Sequence, residues 1–244
     1  MKSSCQSVRL VLAVLFLASL AIPGLIFAQE RIETPFDWVD GSLRVGAFAG
    51  NLSGDRGSLG IGPGGSTAFG ARLRTRVSSP LSLEIGFGLG SSERAVIDPR
   101  LPTGPAAVDT VNADWLIIEG GFQIALTGGR TLHKLQPYVV LTGGVLKGRG
   151  EEVSDSLMAV EDVPFRYNIG TASMFTAGAG VEWIPNGRIG LGLEIRDRLW
   201  RIKAPDGFFQ LDVLQNIEDL GLAAPQESEW THNIELSASL YYYF

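Results

Sequence analysis

One pattern constrains this chain more than any other: apolar and polar residues alternate at every second position, in eight separate stretches. In the last, "HNIELSASLYYYF" at 232 to 244, His232, Ile234, Leu236, Ala238, Leu240, Tyr242 and Phe244 fall on one side, with Asn233, Glu235, Ser237, Ser239, Tyr241 and Tyr243 on the other. A period of two is that of a β-strand with one oily and one polar face. The same reading applies to "SLRVGAFAGN" (42–51), "STAFGARLRTRV" (66–77), "LSLEIGFGLG" (81–90), "WLIIEGGFQIAL" (115–126), "PYVVLTGGV" (137–145), "FTAGAGVEW" (175–183) and "RIGLGLEIRDRL" (188–199).

The gaps between these strands alternate in length. Residues 78–80, 127–134 and 185–187 form short connections, while 52–65, 91–113, 147–172 and 201–231 are long. Short turns on one rim and long loops on the other are the plan of a transmembrane barrel, and an even strand count fits it. The expected fold is therefore all-β, an eight-stranded antiparallel up-and-down barrel with short periplasmic turns and long extracellular loops.

Alternation does not say which face is outside. A soluble eight-stranded barrel, such as a lipocalin, would pack the aliphatic face inward. The polar face favours the opposite arrangement, because it is rich in glycine and carries isolated charges. Glycine weakens a strand facing water, but in a narrow lumen it makes room for long neighbours. That face holds Arg44, Arg72, Arg74, Arg76, Arg196 and Arg198 beside Glu84, Glu119, Glu182, Glu194 and Glu235, nearly balanced in sign. An enclosed network of ion pairs is the expectation. A turn at 78–80 sets Val77 opposite Leu81, which puts Arg74 opposite Glu84 as a luminal salt bridge.

The oily face carries no Lys or Arg within the strand interiors, as lipid requires, since a basic residue at the midplane costs about 2–4 kcal/mol. Asp197 is the exception and is expected at headgroup height on the loop side. Trp183, Tyr242 and Phe244 fall at short-turn ends of strands and Phe175 and Trp230 at loop ends, as two aromatic girdles would. Trp115 and Trp200 have the wrong parity for a girdle and are expected to line the mouth.

Residues 1–28 read as a secretory signal peptide, with Lys2 and Arg9 ahead of an apolar run from Leu10 to about Ala21 and a break at Pro23-Gly24. Cleavage after Ala28 leaves 216 residues with 18 basic and 26 acidic side chains, a net charge of about −8. Cys5 is the only cysteine and leaves with the signal, so disulfides, thiol nucleophiles and thiolate metal clusters are not expected in the exported chain. Residues 29–41 are expected to form a periplasmic arm and 42–244 the barrel.

Over about residues 42 to 244 the chain resembles the eight-stranded outer-membrane β-barrel family, to which OmpA-like transmembrane domains and OmpX-like proteins belong. The resemblance rests on the alternation, the loop plan and the terminal "LYYYF". It implies an exported integral protein of the outer membrane. It also implies that Leu236, Ala238, Leu240, Tyr242 and Phe244 form the signal read by the barrel-assembly machinery. The peptidoglycan-binding domain that often follows the eighth strand in OmpA-like proteins has no counterpart here, so no cell-wall anchoring is expected.

Chemistry has little support. His133 and His232 are the two histidines, one assigned to a periplasmic turn and the other to the outward face of the last strand; neither has a serine at hydrogen-bonding spacing in the sequence. Scattered carboxylates lack metal-ligand spacing, and "GIGPGGS" at 60–66 lacks the P-loop lysine and reads as a mobile loop. No catalytic residue, cofactor or metal is expected, and the acidic balance speaks against nucleic acid. Loop four, "GFFQLDVLQNIEDLGL", sets Leu211, Leu214, Ile217 and Leu220 at threes and predicts a short amphipathic helix folded onto the mouth, with Phe208 and Phe209 as exposed anchors if it instead meets a partner. Loop three is acidic at Glu151, Glu152, Asp155, Glu161 and Asp162. The expected role is structural or a surface interaction carried by the loops of a monomer. The expected partners are outer-membrane lipids, lipopolysaccharide, the assembly machinery and an extracellular protein. A periplasmic lipocalin-like ligand binder is the main alternative and a lipid A-modifying enzyme the lesser one.

Overall fold

The computed structural model describes residues 35–149 and 166–244, apart from Pro102 and Ala223. The signal segment and the acidic run of loop three lie outside the described residues. Eleven strands follow in chain order: β1 (Phe36–Trp38), β2 (Leu43–Ser53), β3 (Ser66–Arg76), β4 (Leu81–Asp98), β5 (Ala106–Asn112), β6 (Asp114–Ala125), β7 (Arg130–Leu132), β8 (Leu135–Arg149), β9 (Thr171–Trp183), β10 (Ile189–Lys203) and β11 (Ser228–Tyr243). Eight of them, in the order β8-β6-β4-β3-β2-β11-β10-β9, form an antiparallel ring that the β8–β9 pairing closes. They are the eight strands of the sequence pattern. Closure leaves the ring without a free edge.

Burial along each strand alternates with the residue pattern, but in the opposite sense to a protein that folds in water. Ile85 is 60%, Leu193 61% and Leu236 63% exposed, whereas Arg74, Glu182 and Arg196 are each 0% exposed. The aliphatic face is the outside, and the lipocalin-like arrangement is overturned. From Ile234 to Phe244 the outward face of β11 spans about 25 Å along the barrel axis at ordinary strand rise and tilt, the height of a membrane's apolar band.

The arm contributes more than a tail. β1 pairs with β7 in the connection between β6 and β8, and the Val39 N–H donates to the Gly129 carbonyl at 3.1 Å. Val39 then packs with Ile184, Tyr241 and Tyr243 across the short-turn end of the lumen. At the other end β4 continues past the barrel and pairs with β5 as a protruding hairpin, so much of loop two is strand rather than coil. A 3-10 turn (Asp206–Phe209) leads into helix α1 (Leu211–Asp219). The segment at 60–66 is packed, correcting its reading as a mobile loop: Ile61 is buried, and the Gly64 N–H donates to the Glu93 carbonyl at 2.9 Å.

Candidate functional site

Among the described residues charge is concentrated and buried in the lumen, and the pairing register explains how it fits. Arg72 lies opposite Gly46 on β2 and Gly86 on β4. Glu119 lies opposite Gly86 and Gly144, while Glu182, Glu194 and Arg196 lie opposite Gly192, Gly180 and Gly178. Each long side chain extends over a neighbour that has none. Two luminal glycines are fixed by close approach of aromatic rings: a Cβ at Gly46 would sit 2.3 Å from the Tyr241 ring, and one at Gly90 2.0 Å from the Trp115 ring.

Five arginines and five glutamates then form one continuous web. Arg44 reaches Glu182 at 3.3 Å. Arg74 joins Glu84 at 2.6 Å, Glu194 at 3.3 Å and Glu182 at 3.7 Å. Arg196 bridges Glu84 at 2.6 Å and Glu119 at 2.9 Å and also contacts Glu194. Arg198 holds Glu119 at 2.9 Å and Glu235 at 2.7 Å, and Arg72 closes the circuit through Glu235 at 3.2 Å and Glu194 at 2.8 Å. Tyr138 and Thr142 donate to Glu194 and Glu119 at 2.8 and 2.7 Å, and Tyr243 donates to Glu182. Arg74 also lies over the Tyr241 ring at 4.5 Å and Arg72 over Phe48 at 4.0 Å. The Arg74–Glu84 contact follows the register set by the turn, where the Val77 N–H donates to the Leu81 carbonyl at 3.0 Å.

Arg76, grouped with these residues by parity, lies outside the web. It is the last residue of β3, half-buried at the short-turn rim, and donates to the Val39 carbonyl at 2.8 Å. Its role is to tie the arm to the barrel. Arg94 lies beyond the alternating stretch that ends at Gly90, so its parity gives no signal; it is buried on the extension of β4 and donates to the Tyr167 carbonyl at 2.9 Å.

Above the charges the lumen turns apolar. Trp115, Trp200, Met174 and Leu146 are buried there with Ile61, Phe208, Val213 and Ile217 from the loops. Trp115 and Trp200 are thus interior residues of the mouth. Helix α1 buries Val213 and Ile217, one turn apart, and leaves Leu211 85% exposed. A face at spacing four replaces the expected face at threes. The helix folds onto the mouth as expected, and Phe208, which would have been an exposed anchor had it met a partner instead, is fully buried, with Phe209 packed partly against the same cluster. The Asn216 side chain donates to the carbonyls of Leu101 and Pro99 at 3.0 and 3.4 Å, fastening the helix to loop two.

On the outside, Phe175 and Trp230 meet at the loop end with ring centroids 6.1 Å apart, and Tyr242 and Phe244 at the short-turn end at 4.8 Å. Trp183 is exposed at the latter level. Leu236 and Leu240 are exposed in the band between, with Ala238 on the same face. Asp197 lies on this outer surface with an Oδ 2.7 Å from His232 Nδ1. Ser53, on the neighbouring strand, donates its hydroxyl to the Ile234 carbonyl at 3.2 Å. Among the described residues no serine hydroxyl is hydrogen-bonded to His232.

Known structures repeat the architecture. The Pseudomonas aeruginosa outer membrane protein OprG superposes with a TM-score of 0.51 at 8% identity, covering 84% of this chain and 97% of OprG. The chain has the fold of an eight-stranded outer-membrane β-barrel. Neisserial surface protein A aligns over 86% of this chain and 97% of its own at 12% identity and a TM-score of 0.44. The N-terminal barrel domain of Pseudomonas aeruginosa OprF aligns over 83% and 100% at 10% identity and a TM-score of 0.40. No protein-family model matches the sequence, and no curated protein matches it. The barrel's character lies in its own side chains: a charged core, an apolar cap at each end and an aliphatic exterior.

Proposed function

We propose that this outer-membrane barrel has a structural or surface-interaction role, carried by its extracellular loops, with no catalysis and no steady pore. The observation that carries the reading is the filled lumen, in which the charge web lies between the Val39 cluster at one end and the Trp115–Phe208–Ile217 cluster at the other. Eight strands enclose a space that side chains can fill, and here large side chains occupy it. Loops on so rigid a scaffold are where recognition is expected. Outer-membrane lipids and lipopolysaccharide are the proposed surroundings of a monomer that the assembly machinery inserts, and an extracellular protein is the proposed partner of the loops. No cofactor or metal enters the reading.

Conductance tests it. Purified protein reconstituted in a planar bilayer, with folding verified by a boiling-dependent shift in gel mobility, is expected to hold the membrane at its resting conductance. Sustained channel currents from heat-shiftable protein would overturn the closed, structural reading. Hydrolysis of acyl esters by the same preparation, lost in His232→Ala, would replace it with the enzymatic one.

A further inference from the structure

On the outward side of the barrel, over β6 and β8 to β11, two concavities adjoin. The one nearer the barrel's middle is an apolar groove of about 350 Å3 lined by Gly120, Phe122, Leu141, Gly143, Phe175 and Ala177. Gly120 and Gly143 are register partners, and Gly143 lies opposite Phe175 on its other side. The absent side chains leave a trough between aromatic and aliphatic walls.

The second concavity, about 400 Å3, lies nearer the loop end on β9, β10 and β11, lined by Asn168, Thr171, Ser173, Arg201, Lys203 and Trp230. The 6.1 Å contact between Phe175 and Trp230 joins the two. Lys147, exposed on β8, is the register partner of Thr171 and adds a third cation at that level. Arg201 donates to the Ser228 hydroxyl and stands 5.8 Å from the Trp230 ring. Among the described residues Lys147, Arg201 and Lys203 form no ion pair with a carboxylate, and Asp197, two positions below Leu199 on β10, is engaged by His232.

We propose that the groove and the cationic pocket form one binding site for an acyl lipid with an anionic phosphate headgroup, in the leaflet at the loop end of the barrel. The inference rests on the membrane-spanning reading given above. Ordinary lipid contact requires only a smooth apolar belt. Here hydrogen-bonding side chains and cations that have no carboxylate partner among the described residues stand at headgroup height, beside and above a trough at acyl-chain height. Guanidinium and ammonium groups are the residue types that hold phosphate, and each contributes about fivefold to the affinity of an anionic lipid near a membrane surface.

Native mass spectrometry of the intact exported protein, released from neutral detergent with phosphatidylglycerol or phosphatidylcholine of the same acyl chains, tests the site. The wild type is expected to retain phosphatidylglycerol preferentially. Arg201→Gln with Lys203→Gln is expected to lower that retention about 25-fold, and each single change about fivefold. Gly143→Leu, whose Cβ has no neighbour closer than 3.9 Å, fills the trough and is expected to lower retention of both lipids. Arg130→Gln, near Trp38 at the opposite rim, is expected to behave as wild type. Equal retention of the two lipids, or an equal loss in Arg130→Gln, would overturn the site in favour of general lipid contact or diffuse charge. Displacement of the lipid by an equal concentration of soluble glycerol 3-phosphate would overturn it in favour of a free-anion site. The boiling-dependent gel shift of each variant is read alongside. Its absence in the wild type would refute the barrel itself, an outcome separate from a lost lipid preference.

Discussion

Arg196 is the side chain through which the luminal web is best tested. Its guanidinium is 2.6 Å from Glu84 and 2.9 Å from Glu119, touches Glu194 as well, and is fully buried. Arg196→Met leaves four arginines to balance five glutamates in a space without bulk water. None of the three carboxylates is stranded outright: Glu84 keeps Arg74 at 2.6 Å, Glu119 keeps Arg198 at 2.9 Å, and Glu194 keeps Arg72 at 2.8 Å. Removing one partner of a buried pair costs about 3–5 kcal/mol, and the surviving contacts place this case near the lower bound, about 3 kcal/mol. That is roughly a hundredfold in the folded-to-unfolded ratio. Arg100→Met, which breaks the half-exposed pair with Asp98 in loop two, is expected to cost no more than about 1 kcal/mol. Adding Glu84→Gln to Arg196→Met restores equal numbers of charges, and the double variant is expected to be more stable than the sum of the two single losses by about 0.5–3 kcal/mol. Urea titration in lipid vesicles, read as the fraction keeping the unboiled gel mobility, measures the four variants, Glu84→Gln alone included, against the wild type. The reasoning fails if Arg196→Met falls within 1 kcal/mol of Arg100→Met, or if the double variant is no better than additive.

Gly90→Leu forces a side chain into the Trp115 ring, 2.0 Å from the Cβ position, and Trp115 has almost no exposed surface through which to move aside. A loss of about 1–3 kcal/mol is expected in the same titration. Asn216→Ala removes both hydrogen bonds from α1 to the Pro99 and Leu101 carbonyls. It is expected to speed amide exchange in α1 and loop two by about tenfold, with the gel shift of the barrel unchanged. Deleting Phe244, which is 64% exposed, is expected to lower the amount of protein recovered from outer membranes in cells more than it lowers folding into vesicles in vitro. Equal effects in the two settings would mean that the residue contributes packing rather than an assembly signal.

The barrel was legible in the sequence because its environment divides the two faces so sharply. Lipid outside and charge inside make every second position informative, and a short turn such as 78–80 fixes register, so that Arg74 and Glu84 could be paired across it. Contacts such as Arg196 with Glu119, 77 residues apart, depend on strand tilt and on which strands become neighbours when the sheet closes. No local pattern encodes those. β1, β7 and β5 were unreadable for a different reason: each pairs beyond the ring, and β5 alternates weakly, although the prolines and glycine at 99 to 105 mark the hairpin between it and β4. In loop four a helix was evident from its apolar residues. Its buried face was misjudged because a spacing of three drifts around a helix of 3.6 residues per turn, whereas Val213 and Ile217 lie one above the other.

The charged core also bears on why the ring closes in one register. Well-packed apolar side chains of similar volume can equal or exceed the stability of a buried ion-pair web, so stability alone does not account for five arginines inside a barrel. Register does. If the inner face were as apolar as the outer, a strand slipped by one residue would exchange faces at little cost. With Arg196 or Glu119 on the inner face, the same slip would place an unpaired charge in lipid, at about 2–4 kcal/mol for each basic residue near the midplane. Glycines opposite the charged residues narrow the choice further, because a slipped Arg72 would no longer lie between Gly46 and Gly86. Replacing the web wholesale with leucine and methionine is therefore expected to preserve resistance to urea in correctly folded molecules while lowering the fraction that reaches the fold. Refolding yield into vesicles, scored separately from the urea midpoint, distinguishes the two effects, and an unchanged yield would show that the charges do not set the register.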